Sequence, residues 1–188
     1  MKRGDIVDKG YQSYERFTAG DKRGLVEIIE LYSDSLAAFI NGFVHNESTA
    51  EDLMQETYLE LIKKEHHFKG ESQFKTWLFK IARNKAIDHI RKHRRIIPVD
   101  ETFVFCIEEG EAPEGLLIAA ERNRAVREAM AQINPLYAQV LYLSFFEDMS
   151  NAEVSLVIGK SKRQVEMLIY RAKESLKKYL EKEGFEYE

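Results

Sequence analysis

The chain has 188 residues, of which 44% are hydrophobic, a formal net charge of −4 and a single cysteine. This composition excludes a disordered polypeptide and an internal disulfide, and it makes a reducing cytosol the expected setting, with Cys106 incidental. The N-terminus MKRGDIVDKG lacks an apolar core and no apolar run approaches spanning length, so neither a signal peptide nor membrane insertion is expected.

Residues 1–20 are weakly patterned and are expected to begin with a disordered stub. From Asp21 to Val44, Leu25, Ile28, Ile29, Tyr32, Leu36, Phe39, Ile40 and Phe43 recur at three and four, which predicts one long amphipathic helix or two with a break near Ser33. Ser48-Thr49-Ala50-Glu51 has the pattern of a capping box and opens a helix to about Lys64. Met54, Tyr58, Leu61 and Ile62, with Leu53 alongside, form its expected buried stripe. Its opposite face carries Glu51, Asp52, Gln55, Glu56, Leu59 and Glu60, a solvated acidic surface on which Leu59 is the oddity.

A loop over residues 66–73 contains Gly70 and the adjacent His66 and His67. No cysteine or spaced acid completes a zinc ligand set there, so no metal is expected. A helix from Ser72 to about Arg95 follows, with Phe74, Leu78, Ile81, Ala82, Ala86 and Ile90 inward. Another side of it combines Trp77, Asn84, Asp88 and Arg91. Aromatic rings interleaved with cations and amides suit a single nucleic-acid strand, which offers bases to stack on, phosphates and base edges. A plain core role for Phe74 and Trp77, with basic residues that merely solubilise, is the competing reading.

Charge is strongly segregated. Lys75 to Arg95 holds Lys75, Lys80, Arg83, Lys85, Arg91, Lys92, Arg94 and Arg95 against Asp88 alone. Asp100 to Glu114 carries only acids, and Lys160 to Lys178 is basic again. Two positive patches separated by an acidic segment suggest two contact points on a polyanion. Residues 96–115 lack periodicity and contain Pro98, Gly110, Pro113 and Gly115, so they read as a flexible acidic linker and a domain boundary. Within it, the apolar run Phe103 to Ile107 has the character of a docking segment, on a domain or on a partner.

Leu116 to Ile133 is expected to be helical. Asn134-Pro135 supplies an N-cap and a first-turn proline for a helix to about Phe146, with Leu136, Val140, Leu141 and Leu143 inward and Phe145 close by. Ser150-Asn151-Ala152-Glu153 and Ser161-Lys162-Arg163-Gln164 are two capping boxes eleven residues apart, with Gly159 placed to end the first helix. That spacing predicts a helix-turn-helix with apolar positions Val154, Ile158, Val165, Ile169, Ala172 and Leu176, and with Lys162, Arg163, Arg171 and Lys173 outward. Alone, the pattern fits a groove-reading helix and a plain helical hairpin equally. No nucleophile–base pairing, phosphate loop or catalytic carboxylate pair is present, so the chain is not expected to be an enzyme, and no cofactor is expected.

Three motifs resemble the extracytoplasmic-function sigma factors of the sigma-70 superfamily. Ala50-Glu51-Asp52-Leu53-Met54-Gln55-Glu56-Thr57-Tyr58-Leu59 is similar to that family's AEDLxQExFL in region 2.2. Phe74-Lys75-Thr76-Trp77-Leu78-Phe79-Lys80-Ile81-Ala82-Arg83-Asn84 with Asp88 and Arg91 is similar to its regions 2.3 and 2.4. The helix-turn-helix with Arg171-Ala172-Lys173 and Leu176 is similar to region 4.2. The resemblance runs from about residue 25 to 181.

It implies an all-α fold of two helical domains, residues 1–95 and 116–188, joined by the 96–115 linker, the second a four-helix domain. It implies docking of Asp52, Gln55, Glu56 and Leu59 on the clamp of the polymerase's largest subunit. It implies recognition of a melted −10 element through Phe68, Gly70, Ser72, Gln73, Thr76, Trp77, Arg83, Asn84, Asp88 and Arg91. A −35 element would be read by Lys162, Arg163, Gln164, Arg171 and Lys173. The expected partners are core RNA polymerase, through clamp and flap, promoter DNA, and an anti-sigma factor. Glu166, Met167 and Leu168 depart from the basic or small polar residues frequent in the family there. A helix-turn-helix regulator that binds DNA without polymerase is the alternative; it gives the Trp77 helix and the acidic face no role.

Overall fold

The computed structural model describes residues 8–63, 68–93, 103–104, 126 and 128–182. All secondary structure among these is helical. The expected start and end of the linker lie outside the described residues, as do Cys106, His66 and His67. Among the described residues no cluster of side chains could hold a metal ion, and no helix is long and apolar enough to cross a membrane.

The weakly patterned N-terminal stretch holds a helix, α1 (Lys9–Thr18); the stub expected to be disordered lies outside the described residues. Asp8 caps it, accepting the Tyr11 N–H at 3.1 Å. The other oxygen of the same carboxylate accepts the Phe74 N–H at 2.8 Å. One side chain thus satisfies orphan donors at the starts of two helices distant in sequence. Helix α2 (Arg23–Val44) is continuous. No break occurs at Ser33, whose hydroxyl donates to the Ile29 carbonyl at 2.7 Å and lies 3.2 Å from the Tyr58 hydroxyl. His45 ends it in a left-handed conformation at φ 54°, its N–H returning to Asn41 O.

Helix α3 (Glu47–Lys63) starts earlier than the expected capping box. The capping acceptor is Asn46, whose Oδ1 takes the Thr49 N–H at 2.9 Å; Ser48 is already inside the first turn. Leu53, Tyr58 and Leu61 are buried, while Ile62, expected inward, is exposed. Helix α4 (Phe74–His93) buries Phe74, Leu78, Phe79, Ala82, Ala86, Ile87 and Ile90.

In the second half, residues 128–132 end a helical stretch. Asn134 then caps α5 (Pro135–Leu141), accepting the Leu136 N–H at 2.9 Å. The expected α-helical continuation to Phe146 widens into a π turn, Tyr142–Phe146, closed by Glu147 N–H to Tyr142 O at 3.2 Å. Tyr142 and Leu143 stay buried, whereas Phe145, expected near the inner face, is exposed with the Lys173 ammonium 5.0 Å over its ring. Helix α6 (Asn151–Ile158) has both halves of its capping box and ends at Gly159 with φ 75°. Helix α7 (Lys162–Lys182) starts with a reciprocal box: Gln164 N–H to Ser161 Oγ at 3.2 Å, and Ser161 N–H to Gln164 Oε1 at 2.8 Å.

The two halves share one hydrophobic core. Phe39 of α2 lies 5.2 Å from Phe79 of α4, 5.8 Å from Phe103 and 5.6 Å from Tyr142, ring centre to ring centre. Phe103, from the apolar run of the linker, is buried on α2 rather than displayed to a partner, and the Val104 N–H donates to Gly42 O at 2.7 Å. Burying an aromatic of that size contributes roughly 1.5–3 kcal/mol, enough to fix the path of the chain at this point.

Candidate nucleic-acid interface

Three surfaces carry the residues singled out in the sequence. On α3, Asp52, Gln55 and Glu56 are exposed in a row with Glu51. Leu59 is 53% exposed at the end of this face. Lys85 of α4 lies 3.7 Å from both Glu56 and Glu60, so the acidic face is anchored on one side to the basic helix. Leu59 is not among the side chains packed against the hydrophobic core.

The second surface runs from residue 68 into α4. Phe68 sits in an aromatic cluster, 5.8 Å from Tyr11, 5.8 Å from Tyr14, 5.7 Å from Phe74 and 5.3 Å from Trp77. Trp77 is half-buried in the same cluster, 5.8 Å from Tyr14. Its ring is therefore partly core and partly accessible, which combines both readings of the residue. Gly70 adopts φ 71° in open space, so backbone conformation and not crowding calls for glycine there. Ser72 is half-buried and Gln73 exposed. Further along α4, Asn84, Asp88 and Arg91 are exposed in line, with the Arg91 guanidinium 4.0 Å from Asp88.

Two residues expected on this surface are not on it. Thr76 is buried, with its hydroxyl 3.4 Å from Glu153 Oε1 of α6. Arg83 is 9% exposed, and its Nε donates to Gln139 Oε1 of α5 at 3.1 Å. Both face the second half of the chain. Lys75 does likewise: its ammonium lies 2.7 Å from the Glu147 carboxylate and donates to the Glu147 carbonyl at 2.9 Å. Sequence reasoning missed this pairing, and it missed Tyr11 and Tyr14. The signal for the tyrosines was present, since Tyr11, Tyr14 and Phe17 recur every three residues.

The third surface is the start and outer face of α7. Lys162, Arg163, Gln164, Arg171 and Lys173 are all exposed. Two of them have structural duties as well, Gln164 in the capping box and Lys173 over Phe145. Glu166 and Met167 are exposed, whereas Leu168 is half-buried against the core. Leu136, Lys160, Gln164, Met167, Leu168 and Arg171 line an open cleft of about 190 Å³ beside this face. The side chain of Leu168 is thus explained by packing. Glu166 places a carboxylate on an otherwise cationic face, where it opposes phosphate.

Two family models match the chain. The Sigma-70 region 2 model matches residues 28–96, and the Sigma-70 region 4 model matches residues 123–176. The first spans α2 to α4, and the second spans the helix-turn-helix. Together they cover well over half of the chain, which belongs to the sigma-70 family. Similar proteins include the ECF RNA polymerase sigma factor BldN of Streptomyces coelicolor, 31% identical over 88% of this chain and 64% of its own length. The RNA polymerase sigma-H factor of Pseudomonas aeruginosa is 27% identical over 93% of this chain and 95% of its own. SigW of Bacillus subtilis is 24% identical over 86% and 91%. This chain therefore spans just under two thirds of BldN and nearly all of the other two.

Among solved structures, CnrH in complex with the cytosolic domain of CnrY has a TM-score of 0.65 at 21% identity, covering 92% of this chain and 97% of that one. The sigma factor RpoE from Bartonella quintana, in complex with the anti-sigma factor NepR, has a TM-score of 0.63 at 23% identity, covering 82% and 95%. These two likenesses establish the fold, two helical units of the sigma-factor type.

Proposed function

We propose that this sigma-70 family protein directs bacterial core RNA polymerase to specific promoters and so initiates transcription. The observation that carries the reading is the order of its parts: region 2 over the acidic face and the Trp77 helix, then region 4 over the helix-turn-helix. The chain supplies specificity and leaves catalysis to the polymerase. Its site of action is then the cytoplasm, with the polymerase.

The exposed row Asp52, Gln55, Glu56 and Leu59 is assigned to docking on the clamp of the largest subunit. Its chemistry suits a basic partner helix with an apolar contact at one end. The surface from Phe68 through Ser72, Gln73 and Trp77 to Asn84, Asp88 and Arg91 is assigned to the melted −10 strand. There, stacking and edge hydrogen bonds offset the few kcal/mol needed to unstack a base. Thr76 and Arg83, buried against the second half of the chain, are left out of this assignment. Lys162, Arg163, Arg171 and Lys173 are assigned to the −35 duplex, with Gln164 fixing the start of the helix. The region 4 unit is assigned to the polymerase flap. The CnrH and RpoE structures hold bound CnrY and NepR, and an anti-sigma polypeptide is inferred as a partner of this chain too.

The test is copurification with core polymerase, followed by run-off transcription from promoters that carry −10 and −35 elements. Initiation that depends on this chain is the expected result. Tight binding to a palindromic site without polymerase, with no effect on initiation, would instead assign it to the independent regulators.

A further inference from the structure

The outer face of α7 is not uniformly cationic. At about 3.6 residues per turn, the side opposite the buried Val165 and Ala172 carries Arg163, Met167, Tyr170 and Glu174, all exposed. Lys162 and Lys173 lie on one flank of this line and Arg171 on the other. Glu166 is exposed between the Lys162–Lys173 flank and the outermost line, in the second turn of the helix. It is therefore placed among the residues nearest to a groove that takes the start of α7.

The fold makes no use of this carboxylate. Among the described residues Glu166 has no ion pair and no hydrogen-bonded partner for its side chain. The orphan donors at the start of α7 are served by Ser161 and Gln164. Glu166 stands beyond the first turn, where the benefit of an acid to the helix dipole has fallen away. Against a DNA backbone it costs affinity, because it repels phosphate. The groups in a major groove that favour a carboxylate are exocyclic amines. Adenine presents its amine beside the N7 acceptor, a pair that suits an amide and repels a carboxylate. Cytosine presents its N4 amine with no acceptor of the same base beside it.

We propose that Glu166 is a specificity-determining residue, accepting a hydrogen bond from N4 of one cytosine in the duplex −35 element. This rests on the assignment of α7 to that element under the proposed function. The flanking cations supply affinity that is blind to sequence, and Glu166 gives up part of it in exchange for a choice of base. The two effects have opposite signs. Removal of the carboxylate should strengthen binding to DNA at large while it weakens discrimination at one base pair. A residue that only contacts phosphate, or only supports the helix, lacks this split.

The test is run-off transcription by the holoenzyme from a promoter library randomised across the −35 element. The wild type is expected to favour cytosine on one strand at one position by about tenfold over the other bases. Glu166→Ala should flatten that position alone and raise initiation from promoters that lack the cytosine, with an unchanged thermal midpoint. Glu166→Gln should move the preference at the same position toward adenine, whose N6 and N7 match an amide. Met167→Ala, on the same face, should leave the cytosine preference in place. Three results overturn the inference: no cytosine preference in the wild type, a Glu166→Ala preference identical to the wild type, or a uniform loss of initiation in Glu166→Ala. In each of these the −35 element and the proposed function still stand. Absence of initiation from every promoter would refute the proposed function and this inference with it.

Discussion

Gly24 and Gly42 each sit where a side chain would collide, but the consequences differ. A Cβ on Gly24 would meet the backbone of α1, including Phe17 N at 2.7 Å. A Cβ on Gly42 would meet the ring of Phe103 at 2.6 Å. Backbone in a helix cannot step aside, whereas a ring on a strap can be expelled. Gly24→Ala is therefore expected to cost about 1–3 kcal/mol by forcing α1 from α2, read as a lowered urea midpoint. Gly42→Ala should destabilise by a similar amount but additionally expose residue 103 to proteolysis. Among the readout residues, Asn84 is exposed with its amide on the open side of α4. Asn84→Ala should relax −10 sequence choice by about 1–3 kcal/mol per lost base contact, and an unchanged promoter logo would move the readout elsewhere on the helix. Arg163→Ala should weaken −35-dependent initiation in the same run-off assay.

Caps decide where these helices begin, and they were the most legible feature of the second half. The boxes at Ser150 and Ser161, the left-handed Gly159 and the Asn134 cap are local, so the sequence contains everything needed to form them. The α3 cap was misplaced because Asn46 and Ser48 are both capping acceptors with a backbone N–H donor three residues on, and local pattern alone does not rank them. Asn46→Ala should cost about 1 kcal/mol of stability, while Ser48→Ala should be close to neutral; thermal denaturation of both variants decides the assignment. Helix α1 was overlooked for a different reason. Its Tyr11, Tyr14 and Phe17 period is short and shares the helix's buried face with the small Gly10 and Ser13, and Ser13 donates to Glu27 of α2 at 2.6 Å, a polar contact that hydrophobic patterning does not show. The π turn has no local signature at all. It arises where Tyr142 must remain in the core while Glu147 turns toward Lys75.

For the molecule as a whole, the family and the all-helical fold were legible, because motifs and periodicity are carried by contiguous residues. The docking of one half on the other was not. It depends on pairs such as Arg83 with Gln139 and Ser35 with Tyr142, each unremarkable in sequence and distant from its partner. The basic run that includes Lys75 and Arg83 was legible as a polyanion surface; its occupation by Glu147 and Gln139 required the fold. Docking through a shared core has a thermodynamic consequence, because Phe39, Phe79, Phe103 and Tyr142 are buried together and neither half can unfold without stripping the other. Trp77 is the sole tryptophan and lies in the first half, so its fluorescence reports that half alone, while far-ultraviolet circular dichroism reports both. In urea the two signals should trace one coincident transition. Phe103→Ala removes the ring that touches both Phe39 and Tyr142, at an expected cost of about 3–5 kcal/mol, and should separate the signals into two transitions. Non-coincident curves already in the wild type would mean that the halves are thermodynamically independent, and the interface between them would then be too weak to hold α4 covered.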